Sequence, residues 1–266
     1  MSATNGMAGT LTRGKRIVLI VLGVVLAILG LEGAGFVITG WSSDLDGGAH
    51  QFHHVMRGAS TVPSLLAALV LIIRPSWALG AAKKLAANGI AYPIAAIVSL
   101  TVWPPAIIYP IIALVVVGVV YWAYRGNFPW NKHDFRLSFS RPLLALTVVV
   151  AVPLIVYGLN EASLQRSTEA LHGDLGHWAG SLAGALTIVI LMLFASMRMP
   201  GWRVPAWSAG FMLFMLGVAS VLMPNQASSV GEGWGTLAII SSVAFLGVAE
   251  LEPRLFGRVA PQPAGS

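Results

Sequence analysis

The chain has 266 residues, 56% of them hydrophobic and only 10% charged, with a mean hydropathy of +0.79. A soluble domain carries about a quarter charged residues, so this surface must face hydrocarbon. The formal charge of +6 is scattered between apolar runs, which points to membrane topology rather than nucleic acid, and the absence of cysteine excludes disulfides, iron–sulfur clusters and c-type haem attachment.

Residues 1–12 read as a disordered tail. The first apolar run, Ile17–Thr39, is interrupted only by Glu32 and is longer than the core of a cleaved signal peptide, so it reads as a retained helix. Seven further spans follow: Met56–Ile73, Leu85–Trp103, Ala106–Tyr124, Leu143–Leu159, Trp178–Met197, Ala206–Met223 and Gly235–Leu251. Each is long enough to cross a hydrocarbon core of about 30 Å. Pro93, Pro110 and Pro153 fall inside spans, where they kink helices and free carbonyls. Residues 259–266 form a second tail.

The expected fold is therefore an all-α integral membrane protein of about eight helices. With both termini cytoplasmic, 14 of the 16 Lys and Arg residues lie on the inner side, Lys83 and Lys84 among them, and only Arg57 and Arg166 lie outside. The localisation this implies is multi-pass in a plasma (inner) membrane, in a composition that suits a bacterium. The bilayer is then the main partner, with other membrane proteins as further ones and nucleic acid as none.

The two halves, 13–124 and 142–258, resemble each other. His53 precedes Arg74 by 21 residues and His177 precedes Arg198 by 21, with Trp77 and Trp202 close behind. Gly30-Leu31-Glu32 resembles Gly158-Leu159-Asn160-Glu161 in the same relative place. These landmarks predict a duplicated four-helix unit, the copies running parallel. Between them, the linker 125–141 mixes basic and aromatic residues and suits anionic lipid headgroups at the cytoplasmic surface.

Polar residues with chemical capacity collect on the outer side. The first outer loop holds Asp44, Asp46, His50, His53 and His54; its counterpart holds Glu169, His172, Asp174 and His177. His50 and His53 stand three apart, which puts both imidazoles on one helix face. With His54, His172, His177, Asp46 and Asp174 they form a candidate first shell for Zn, Cu or Fe, or a proton site. Asp174 could instead cap the sixth span. Glu32 lies about 24 Å along its helix from Arg16, in the outer leaflet, with Arg57 as its expected ion-pair partner. Gly176, Gly180 and Gly184 recur every fourth position and predict a close helix approach. No span after the first shows a mid-helix charge.

No nucleotide loop, dinucleotide fingerprint, nucleophile elbow or zinc-protease helix occurs in the chain. The function expected is that of an accessory subunit or small permease with an outward His/carboxylate site for a divalent metal or protons. Two alternatives stand beside it. One is a metal-dependent membrane enzyme acting on lipid-linked substrates at the outer leaflet. The other is a b-type haem protein ligated by His177 with His53 or His54.

Overall fold

A computed structural model describes residues 11–42, 50–124, 139–167 and 176–256, with side chains as far as 252. Among the described residues the chain forms nine α-helices, α1 (Arg13–Ser42), α2 (Gln51–Thr61), α3 (Pro63–Ile73), α4 (Ala78–Ser99), α5 (Pro104–Tyr124), α6 (Arg141–Ser167), α7 (His177–Ser196), α8 (Arg203–Leu222) and α9 (Gly231–Phe256), with a short 3-10 turn, Pro75–Trp77, between α3 and α4. Seven helices are long and apolar enough to cross a membrane, α2 and α3 counting together as Gln51–Ile73. The linker 125–141 lies outside the described residues as far as 138.

Large apolar side chains cover the outside. Ile28, Leu31, Leu114, Val149 and Val243 are more than half exposed, an arrangement that only a hydrocarbon solvent makes favourable. The inner helices α2/α3, α4, α7 and α8 form the centre. Each carries one outer helix against it: α1 on α2/α3, α5 on α4, α6 on α7 and α9 on α8. Two ends can be distinguished, one bearing the histidines and one bearing Arg74, Arg198, Arg203 and Lys83.

Several helices begin or end where the sequence reading did not place them. α2 starts at Gln51, five residues before the expected span, and so takes His53 and His54 into the helix. Pro63 lacks the N–H that would continue the α2 ladder, and α3 restarts there with Pro63 in its first position. α4 starts at Ala78, seven residues early, because Lys83 and Lys84 are good helix formers. Both lysines are buried, Lys84 completely, so the expectation of no later charge within a span is corrected. α4 is 22 residues long and reaches about 33 Å, as far as its neighbours. It ends at Leu100, which adopts a left-handed conformation with φ 55°.

Glycine fixes the closest approaches. A Cβ on Gly80 would lie 2.3 Å from the Gly201 carbonyl oxygen, so α4 meets the turn before α8 backbone to backbone. Lys83 Nζ donates to the Pro200 carbonyl at 3.3 Å in the same place. The predicted approach along the sixth span is not made by Gly180 and Gly184, each of which has open space around a built Cβ. It is made by α1, where Gly23, Gly30, Gly33 and Gly40 face α2 and α3.

Polar clamps close the basic end. Arg203 binds Glu250 through two donors at 3.0 Å each, and Trp207 Nε1 donates to the same carboxylate at 3.2 Å. Arg198 donates to Glu252 at 2.6 Å and to the Ala249 carbonyl at 2.9 Å, while the hydroxyl of Ser140, just before α6, donates to Glu252. Arg74 lies over Trp77 at 4.1 Å and Arg198 over Trp202 at the same distance.

Candidate functional site: a histidine cluster between the two halves

His50 is the N-cap of α2, and its carbonyl accepts the first backbone bond of the helix from the His54 N–H at 3.0 Å. The three-residue spacing therefore does place His50 and His53 on one face, and both are 7% exposed. His54, one position further round, turns to α1 and meets the Phe36 ring edge-on at 5.4 Å.

His177 opens α7. Gly176 before it adopts φ +66°, and a Cβ there would lie 2.8 Å from Trp103 Cγ, so both the backbone conformation and the close packing require glycine. With no side chain at that N-cap, Gln165 of α6 reaches across and accepts the Ala179 N–H at 3.2 Å. Sequence reasoning offered Asp174 for this role. The structure gives a capping bond to Gln165, and no local pattern signals it because the donor and acceptor lie on different helices.

The two turns bring three imidazoles together. The His177 ring is 4.8 Å from His53 and 5.0 Å from His50, centroid to centroid, with interplanar angles of 33° and 84°. Bis-histidine haem ligation needs the two ligand nitrogens about 4 Å apart with an iron between them. Here the rings touch directly, so a porphyrin would enter only if α2 and α7 parted. Among the described residues no group of three or more His, Asp or Glu side chains is placed to hold a metal ion. Asp46, His172 and Asp174 lie outside the described residues, as do Asp44 and Glu169.

Glu32 and Arg57 stand to one side of the cluster. Their closest atoms are 3.9 Å apart, both side chains are more than half exposed, and the guanidinium also lies over Phe36 at 4.2 Å. The pair ties α1 to α2.

Glu161 is the carboxylate the sequence reading undervalued. It is 3% exposed in α6, accepts the Ser228 hydroxyl and is hydrogen-bonded to Ser181. Tyr157, one turn earlier, also bonds Ser181. The signal was present in the match between Gly30-Leu31-Glu32 and Gly158-Leu159-Asn160-Glu161. Ser181 stands four residues after His177 as Arg57 stands four after His53.

No known family model, curated protein or solved structure matches this chain.

Proposed function

We propose that this membrane protein is a small permease built from two parallel four-helix halves, with protons as its coupling or transported ion. The observation that carries the reading is the contact of His53 and His50 with His177, one turn from each half meeting at the histidine end. Imidazole is the side chain that ordinarily titrates between pH 5 and 8. Like charges in contact repel, so protons bound at neighbouring rings would oppose one another. A proton gained or lost there alters the force between the halves, as a rocking permease requires.

Three features support the duplication. The Arg74–Trp77 and Arg198–Trp202 stacks have the same distance, the outer helices pair with inner ones in the same order, and Glu32 and Glu161 take equivalent partners. In this reading the histidine end faces outward and the basic end faces the cytoplasm, where the linker 125–141 rests on anionic lipid. A proton site suits the three imidazoles better than a divalent metal site, because no carboxylate among the described residues joins them as a ligand.

The test is proton influx into vesicles carrying the purified chain, driven by a potassium diffusion potential and read by a trapped pH dye. His53→Ala combined with His177→Ala is expected to slow influx and flatten its dependence on external pH. Influx equal to wild type at every pH would remove the cluster from the mechanism. Stoichiometric zinc, copper or iron lost in the double variant would move the reading to a metal site.

A further inference from the structure

α4 carries Lys84, Asn88 and Tyr92 at intervals of four, so the three side chains share one helix face. Lys84 and Asn88 are completely buried, and Tyr92 nearly so. The face looks onto α2 and α3: Lys84 Nζ donates to Ser64 Oγ at 3.0 Å, and the Tyr92 side chain is hydrogen-bonded to Ser60. Tyr92 also packs on Tyr109 of α5 at 4.3 Å and bonds to it, and both tyrosines feel the charge of Arg57. A polar strip thus runs from the Glu32–Arg57 pair toward the basic end. Lys84 lies about 12 Å beyond Tyr92 along the helix.

Two features of the strip are hard to account for as packing. Among the described residues neither the nitrogen nor the oxygen of the Asn88 amide has a hydrogen-bond partner, although a buried amide normally finds one or binds water. Among the described residues no carboxylate is paired with Lys84: α3, α5, α7 and α8, the helices around α4, contain no Asp or Glu. The carboxylate of α6, Glu161, lies at the histidine end on Ser228, and Glu250 and Glu252 of α9 are taken by Arg203 and Arg198. The neighbouring cations are Lys83, held by the Pro200 carbonyl, and Arg74 and Arg203 at the basic end. With no carboxylate among the described residues to fix the ammonium, Lys84 can lose and regain its proton. In the repeat proposed above, superposing Trp77 on Trp202 puts Ala209 and Leu213 at the places of Lys84 and Asn88. The strip therefore belongs to one half alone.

We infer that Lys84 is the proton-binding station of the permease, loaded through water held at Asn88 and the Tyr92–Ser60 hydroxyls. This rests on the permease reading. The lone pair of the amine takes a proton from a hydronium ion beside Asn88, leaving water and an ammonium bonded to Ser64. At the basic end the ammonium returns the proton to water, which leaves as hydronium past Lys83 and Pro200.

The vesicle assay separates this inference from the reading beneath it. Lys84→Met is expected to lower proton influx roughly a hundredfold, the scale of a lost acid–base group. Asn88→Leu is expected to lower it less, and both variants should stay monodisperse with melting temperatures at or above wild type. Wild-type influx with both variants unchanged would overturn the inference and leave the permease standing. Wild-type vesicles no more permeable than empty ones would overturn both. Should Lys84→Met fail to fold, Asn88→Leu and Ser64→Ala decide by the same criterion.

Discussion

The imidazoles of His53 and His177 lie 4.8 Å apart although 124 positions separate them in the chain, and each comes from the first turn or so of its helix. In the proposed duplication the contact joins equivalent positions of the two halves. It also makes the two rings energetically inseparable. A double-mutant cycle with His53→Ala and His177→Ala, read by melting in detergent, is expected to give a coupling of roughly 0.5–3 kcal/mol, the range for residues in contact. Strict additivity would mean that the rings do not meet in the protein.

The two arginine–tryptophan stacks look alike but should respond differently. Arg198 also holds Glu252 and the Ala249 carbonyl, so Arg198→Ala leaves a partly buried carboxylate with only Ser140 and should cost about 2 kcal/mol or more. Arg74 has the Trp77 stack, and Arg74→Ala should cost about 0.5–1 kcal/mol. Thermal melting of the two variants side by side checks the order. Equal losses would show that the Glu252 clamp contributes nothing.

Glycine substitutions test which approaches are close. Gly80→Ala drives a methyl to 2.3 Å from the Gly201 carbonyl, a backbone atom that cannot rotate away, and should cost about 1–3 kcal/mol. Gly184→Ala meets nothing within 4 Å and should be neutral or slightly stabilising. The same melting experiment decides, and a reversed order would contradict the packing of α4 against the turn before α8.

What was legible in the sequence follows the physics of each feature. Apolar runs of 17–23 residues report solvent directly, so the membrane class and most spans could be read. The Glu32–Arg57 pairing was legible as one of two options, because a carboxylate inside a span demands a cation and both Arg57 and the outer histidines lay near its depth. Lys83 and Lys84 were misplaced in a loop, since hydropathy counts two adjacent cations as solvent-facing whatever covers them. Their burial depends on α3 and α8, distant in the chain. The Gly180 and Gly184 spacing suggested close packing, but spacing states only that a neighbour could approach. Gln165 was missed for the same reason: a cap donated from another helix leaves no local pattern.

Lys84 separates stability from function. Replacing a buried charge that lacks a counter-ion by an apolar side chain of similar length is often stabilising, by about 1–4 kcal/mol. Lys84→Met should therefore melt at or above the wild-type temperature while losing transport. A marked fall in melting temperature would instead assign Lys84 a structural role through Ser64.

The most direct test of the permease reading is the electrical current produced when vesicles on a solid support receive a pH jump on their outer side. The account predicts a transient inward proton current in wild type, strongly reduced in the His53→Ala, His177→Ala variant and roughly a hundredfold smaller in Lys84→Met. No current in wild type above that of protein-free vesicles would contradict it.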